Sequence, residues 1–395
     1  MKPVEIAKDI YWVGVVDWNL RDFHGYATPE GTTYNAYLIL DEKVTLIDTV
    51  KKEFADQLLG QIAQIIDPKK IDQVVSNHTE MDHSGGLPRV MHKIGEDKPL
   101  YCSKMGHKNL SLHFREKWNY QPVENGGVLP LGKRTLQFLE TRMVHWPDSM
   151  FSYLKEEALL FSSDGFGQHY AALERFDDQV GEAIMPHAKK YFANILLLYA
   201  PLILQLVDKV IQMGLDIKTI CPDHGIIWRQ DPLKIIKAYV EWSEQKPCKK
   251  AIVVYDTMWQ STQKMAEAII TGLAEMGVEA KPMHLRASHR SDVITEIMDA
   301  GAVIVGSPTL NNGLFPTVMD FLTYMKGLKP KKKIAAAFGS YGWSGEAVKL
   351  INKELEEMKF EIIDPGLRIQ FIPDAQGLET AFQLGRKIGQ ALSNL

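Results

Sequence analysis

The chain has 395 residues, 45% of them hydrophobic and 24% charged, and a formal net charge of −4. That length exceeds one ordinary core at ~150 residues per domain, and the composition excludes a disordered or fibrous protein. The slight acidic excess argues against a general nucleic-acid or anionic-membrane surface. Three scattered cysteines, Cys102, Cys221 and Cys248, make neither a disulfide framework nor a thiolate metal knuckle, which fits a reducing, cytoplasmic setting. No basic segment followed by an apolar run opens the chain, so no signal peptide is predicted. The longest apolar stretch, 195–207, covers 13 positions interrupted by Pro201 and Gln205. Roughly 20 are needed to span a bilayer, so it reads as a buried helix of a soluble protein.

Residues 1–246 form the first predicted domain. β-Branched and aromatic runs at 10–18, 33–40 and 44–50 read as strands, followed by a helix over 53–66 and an apolar strand over 71–76. Further strands are expected at 135–141, 151–154 and 158–162. A long helical stretch from about 173 to 213, broken once near Pro201, precedes a strand at 217–221 and a helix at 233–242. Strands with helices outside them predict an α/β sandwich. The polar segment 243–250, with Pro247, reads as a short linker.

Residues 250–395 form the second predicted domain. Five strand–helix pairs follow in series: 251–255 with 260–275, 279–284 with 292–298, 302–306 with 315–325, 333–338 with 345–358, and 369–372 with 375–392. Serial βα units predict a doubly wound parallel sheet that binds its ligand at the C-terminal ends of its strands.

The first concentration of chemistry lies just past the strand at 71–76. Asn77-His78-Thr79-Glu80-Met81-Asp82-His83-Ser84-Gly85-Gly86 places four potential metal ligands within six positions. Carboxylates and imidazoles packed this densely repel one another and desolvate badly without a cation. A solvated polar loop ahead of a capped helix is the bland alternative. His145, Asp164 and His224 each follow a predicted strand, where sheet-based folds gather their sites.

In order, His78, Glu80, Asp82, His83, His145, Asp164 and His224 resemble the ligand pattern of the metallo-β-lactamase superfamily, with Glu80 where the hydrolases carry His. That exchange, together with the second domain, is similar to one branch, the flavodiiron proteins. The resemblance implies an N-terminal metallo-β-lactamase-like αββα sandwich followed by a flavodoxin-like doubly wound sheet. It implies two non-haem irons, with His78, Glu80 and His145 on one, Asp82, His83 and His224 on the other, and Asp164 bridging. A carboxylate in place of imidazole favours iron over zinc. His83 is the least expected ligand, because it adjoins Asp82 and the two side chains need different directions.

Three loops of the second domain resemble the FMN cradle of flavodoxins. Thr257-Met258-Trp259-Gln260-Ser261-Thr262 would receive the phosphate on backbone N–H groups and hydroxyls at a helix N-terminus, without Lys or Arg. Pro308-Thr309-Leu310-Asn311-Asn312-Gly313 and Ser340-Tyr341-Gly342-Trp343-Ser344 would hold the isoalloxazine ring, with Tyr341 and Trp343 as stacking candidates.

A flavin joined to two irons reads as a terminal oxidoreductase that reduces O2 to water, NO to N2O, or both. The resemblance implies an external donor, rubredoxin or a reduced deazaflavin, since no Cys-x-x-Cys iron module precedes Leu395. His24, Tyr26 and Tyr191 are the candidates beside the open iron positions. A metal hydrolase with a regulatory flavodoxin-like domain and a non-enzymatic electron carrier are the competing readings. The family arrangement implies a head-to-tail homodimer, alone or as a dimer of dimers, in which one chain's flavin meets the other chain's irons.

Overall fold

The computed structural model describes residues 1–394 and divides them into two compact units. The first comprises Met1–His24, Thr28–Phe192 and Tyr199–Val240. The second comprises Gly25–Ala27, Ala193–Leu198 and the remainder from Glu241.

The first unit is built on two sheets. One runs, edge to edge, through Val4–Ala7, Ile10–Trp12, Tyr37–Ile39, Thr45–Ile47, Gln73–Ser76, Pro99–Ser103 and Asn119–Val123. The other runs through Val128–Pro130, Thr135–Glu140, Met150–Leu154, Leu159–Phe161 and Thr219–Cys221. Alternation along the strands sorts the first sheet's side chains into two cores. Tyr37, Ile39, Ile47 and Val75 pack with Leu136, Phe138, Met150 and Phe161 of the second sheet. Leu38, Leu46, Val74 and Leu100 face the other way, onto Leu58 and Ile62 of the helix Ala55–Ile62 and Val90 and Met91 of the helix Leu87–Ile94. A strand covered on both faces needs no polar side, which is why Gln73–Ser76 is buried throughout and can deliver its following loop to the interior.

Several expected elements are shorter or divided. The run at 10–18 splits into Ile10–Trp12 and Val15–Asp17, the latter leaving the large sheet to pair with Thr32–Tyr34. The run at 33–40 divides correspondingly into Thr32–Tyr34 and Tyr37–Ile39. The helical stretch begins at Asp177, and its α-geometry gives way to π and 3-10 turns over Phe192–Leu196 and Leu197–Tyr199. Pro201 stands in the first turn of the next helix, Ala200–Gln212, rather than breaking one, because a first-turn N–H has no intrahelical partner to lose. That helix buries Ala200, Ile203 and Val207 along one stripe, so the expectation of a buried helix holds on one side only. By length and composition alone the helical run Asp177–Gln212 is long and apolar enough to cross a membrane. The segment 243–250 is not a free linker either: the helix Pro232–Glu244 takes its first two residues and the strand Cys248–Tyr255 its last three.

The second unit has one sheet, ordered Glu279–His284, Cys248–Tyr255, Ala300–Gly306, Ile334–Tyr341, with Glu361–Ile362 and Leu367–Gln370 both on the last strand; every pairing is parallel. Ala300–Gly306 is buried at every position, as a central strand between two helical layers must be. Helices Ser261–Glu275 and Ala375–Leu392 cross on small residues. A Cβ on Gly272 would lie 2.1 Å from the Phe382 carbonyl oxygen, and one on Gly385 2.1 Å from that of Ile269. The strand order reverses between Cys248–Tyr255 and Ala300–Gly306, which opens a crevice at their C-terminal ends.

Candidate functional site

The buried strand Gln73–Ser76 releases Asn77 and His78 into the interior of the first unit, and the one-turn helix Met81–Ser84 brings in Asp82 and His83. Asn77 N–H donates to Asp48 Oδ1 at 2.7 Å and its side-chain amide to Asp48 Oδ2 at 2.8 Å, which fixes the exit of the loop. His145 arrives from the loop before Met150–Leu154, Asp164 from the loop after Leu159–Phe161, and His224 from the loop after Thr219–Cys221.

All seven side chains converge. His78, Glu80, His145 and Asp164 form one group with ligand atoms within 4.8 Å of one another, and Asp82, His83 and His224 form another. Asp164 belongs to both through different atoms. Its Oδ2 lies 2.8 Å from His145 Nε2 and 3.5 Å from His78 Nε2, whereas its Oδ1 lies 3.2 Å from His83 Nε2 and 3.5 Å from His224 Nε2. Glu80 Oε2 sits 3.3 Å from both His78 and His145, and Asp82 lies 3.2 Å from His224 and 3.4 Å from His83. His83 therefore shares its group with the adjacent Asp82, the longer imidazole reaching the point that the shorter carboxylate approaches.

Several atoms of this cluster are aimed but not paired. Both carboxylate oxygens of Asp82, both nitrogens of His83 and Oδ1 of Asp164 are buried without a hydrogen-bond partner among the described residues. Orphans in such number need an explanation, and lone pairs reserved for cations supply one. Electrostatics agree. Burial would push His78 down, but its bonds to Asp148 and Glu80 and the charge of Asp164 hold it well above the usual imidazole range. His83 likewise rises against burial beside Asp82 and Asp164. Burial would raise Asp164, yet the charge of His83 beside it and the bond from His145 hold it well below the usual carboxylate range. Protons on the imidazoles thus stand where a cation would compete for the same carboxylates.

The supporting groups were not assigned from sequence. Asp148, buried, takes His78 Nδ1 at 3.1 Å, the Thr79 N–H at 2.8 Å and the Asn109 amide at 3.0 Å. His224 Nδ1 donates to the Thr33 carbonyl at 2.6 Å. Each bond fixes a tautomer that turns Nε2 toward the cluster. Buried Asp223 lies 3.7 Å from His83 Nδ1. Buried His169 holds Thr32 Oγ1 at 2.8 Å, with its ring 4.8 Å from that of His224. Asp148 stands in the same short segment as His145, and Asp223 adjoins His224, so proximity to a ligand was the available signal. Nothing local marks His169. Asp148→Asn should weaken metal binding by about 10-fold, the lower end of what outer partners contribute, because it keeps the shape and removes the charge. Chelator competition on the folded variant measures this.

Of the candidates beside the cluster, His24 is 76% exposed, and its Nε2 lies 3.4 Å from Glu80 Oε1. Tyr191 is buried, its ring 6.0 Å from that of His224. Tyr26 is buried and groups with the second unit.

In the second unit the strand ends enclose a cavity of about 740 Å³. Its wall includes Met258, Trp259, Ser261, Pro308, Thr309, Leu310, Asn311 and Asn312, together with Ser340, Tyr341, Gly342, Trp343 and Ser344. Phe371 and Ile372 join them, although 369–372 was expected to be strand; the strand ends at Gln370 and frees both for the rim. Thr257, Gln260, Thr262 and Gly313 are not part of the wall. Thr262 stands behind it, its hydroxyl 2.9 Å from that of Ser340. The loops brace one another: Thr309 N–H donates to the Ser340 carbonyl at 2.9 Å, and Ser344 Oγ to Asn312 Oδ1 at 3.3 Å. Gly345, at φ +80°, lets the Tyr341 ring lie against its backbone, where a Cβ would come within 3.0 Å. Trp259 and Trp343 are 89% and 88% exposed at the rim. The volume and the mainly apolar, aromatic wall suit a flat heteroaromatic ligand. The Thr257 hydroxyl, buried and without a partner among the described residues, together with the N-terminus of the helix Ser261–Glu275, suits an anionic tail.

Comparison with known proteins agrees with both halves. The family described as flavodoxin matches residues 253–385, and the family described as ODP family beta lactamase matches residues 32–225. A nitric oxide reductase of Moorella thermoacetica is 48% identical over 398 residues, covering 100% of both chains. The solved rubredoxin oxygen:oxidoreductase of Desulfovibrio gigas superposes with a TM-score of 0.97 at 44% identity, over 100% of this chain and 99% of that one. The solved flavodiiron protein of Giardia intestinalis superposes with a TM-score of 0.96 at 38% identity, over 100% and 97%. The chain belongs to the flavodiiron family, with a metallo-β-lactamase-like domain followed by a flavodoxin-like one.

Proposed function

We propose that the chain is a terminal oxidoreductase that passes electrons from an external donor through FMN to a diiron site and reduces O2 to water, NO to N2O, or both. The observation that carries this reading is the division of Asp164 between two ligand groups, one oxygen to each. His78, Glu80 and His145 would hold one iron, Asp82, His83 and His224 the other, and Asp164 both. The cavity of the second unit would hold the flavin ring, and the loop 257–262 its phosphate. When bound, the flavin would supply electrons taken as a pair and released singly, and the two irons would pass them on two at a time, two for the reduction of two NO and four for that of O2.

The residues of the chain position these groups and handle protons. Reduction of O2 to water consumes four protons and reduction of two NO to N2O consumes two, so a proton route is part of the function. His24, exposed and against Glu80, would bring protons from solvent. Burial first, and the Asp164 charge second, hold the Tyr191 phenol well above its usual range, so it stays protonated and would donate a hydrogen bond rather than the proton itself. Tyr26 completes the proposed substrate-side set.

The names of the relatives support the partners. Rubredoxin is the proposed donor, with a reduced deazaflavin as the alternative. A cytoplasmic setting fits three free cysteines. No role in membrane or nucleic-acid binding is proposed. The domains are proposed to be 1–246 and 250–395, each folding by itself. A head-to-tail homodimer, alone or doubled, would cover the exposed Trp259, Trp343, Phe371 and Ile372.

Steady-state consumption of O2 and of NO by one preparation, driven by reduced rubredoxin or by a reduced deazaflavin, tests the reading. Turnover of at least one gas is expected, with about two irons per chain. Two zincs per chain and no gas consumption would instead support a hydrolase.

A further inference from the structure

The loop proposed to receive the FMN phosphate has no Lys or Arg within it, yet the residue that opens it is an aspartate. Asp256 is fully buried at the end of the strand Cys248–Tyr255, where an uncompensated carboxylate would be costly and would oppose a phosphate. It is compensated from outside the loop. Arg286 Nε lies 3.0 Å from Asp256 Oδ1, and Arg286 Nη2 donates to the Thr257 carbonyl at 3.2 Å. Asp256 Oδ1 also accepts the Thr257 N–H at 2.6 Å. Asp256 Oδ2 accepts from Thr317 Oγ1 at 2.5 Å, at the start of the helix Pro316–Leu328, and His284 Nε2 lies 3.4 Å from Oδ1. Thr257 is therefore gripped by its N–H and its C=O at once, and its own hydroxyl is left buried and unpaired.

We infer that Asp256 and Arg286 form a clamp that preorganises Thr257 at the head of the phosphate loop, and that this clamp sets the chain's preference for a flavin with a phosphate over one without. The inference rests on the FMN reading above. Arg286 acts as a positioning residue: its Nε and Nη2 face Asp256 and the Thr257 carbonyl, and its guanidinium carbon lies over Phe315, 5.3 Å from the ring centroid. A preformed loop lowers the ordering cost of binding, and only a ligand that uses the loop benefits.

The test is titration of the deflavinated full-length chain with FMN and with riboflavin, followed by quenching of flavin fluorescence. In Asp256→Asn and Arg286→Met, FMN affinity should fall by at least about 10-fold while riboflavin affinity stays within about twofold. Riboflavin binding doubles as proof that the cavity is intact. Arg286 is 53% exposed, so its variant tests the clamp even if the buried Asp256 variant does not fold. Arg286→Lys should recover little, because one ammonium cannot grip the carboxylate and the carbonyl in the same geometry. Full recovery by Lys would mean that bare charge acts on the phosphate, and would overturn the clamp. So would an undiminished preference for FMN in both variants, or an equal loss for both flavins. Wild-type chain that binds FMN no better than riboflavin would instead overturn the phosphate-loop reading itself.

Discussion

Asp164→Asn should empty both metal positions at once. The two carboxylate oxygens face different groups, with His145 and His78 beside one and His83 and His224 beside the other. Asparagine offers one carbonyl oxygen and turns an NH2 toward the other group, where a donor meets a cation. It also removes the negative charge that two cations would share. Iron should fall from about two per chain to well below one after equilibration with excess ferrous iron and dialysis. Affinity should drop by more than about 100-fold, beyond the range seen for outer partners. His145→Ala and His224→Ala should each cost mainly one iron, since each imidazole serves one group. Full iron content in Asp164→Asn would remove the bridge from the account.

The second large effect concerns where electrons cross. One chain altered at Thr257, Ser261 and Thr262 should lose FMN and keep iron. Another altered at His78 and Asp164 should lose iron and keep FMN. Each alone should be inactive. Mixed under conditions of subunit exchange, they should recover about a quarter of wild-type turnover, because half the dimers would be mixed and each would own one working pair of sites. Between the helix ending at Glu244 and the strand beginning at Cys248 only three residues remain, a reach of about 10 Å, so the proposed crossing between chains does not depend on a flexible tether. No recovery despite proven heterodimers would place electron transfer within one chain.

Much of this was readable from the residues because the informative signals are local. The cluster from His78 to His83 lies in six consecutive positions behind an apolar strand, and strong βα alternation marks the second unit. Glu279–His284 and Ala375–Leu392 have the expected bounds, each a single uninterrupted pattern. The failures share a cause: they depend on partners distant in sequence. The division of 10–18 follows from Val15–Asp17 pairing with Thr32–Tyr34 rather than with the large sheet. Strands such as Val4–Ala7 and Asn119–Val123 were missed because edge strands of four and five residues, only partly buried, give too short a pattern. Asp148 reads as an ordinary loop residue until His78, 70 positions earlier, is seen against it. Phe371 and Ile372 look like the end of a strand, and only the early stop at Gln370 sends them to the cavity.

The most direct test of the central claim is reoxidation of the flavin with and without iron. Full-length protein would be reduced anaerobically until its FMN is colourless, then mixed rapidly with O2 or NO while flavin absorbance is followed. Iron-loaded protein should reoxidise its flavin within its turnover time. Chelator-stripped protein and Asp164→Asn should show only slow autoxidation with O2 and none with NO, and restored iron should restore the fast phase in the stripped wild type alone. Equally fast flavin reoxidation with and without iron would contradict the account, because the flavin would then be reacting with the gas directly and the ligand cluster would have no part in the reaction.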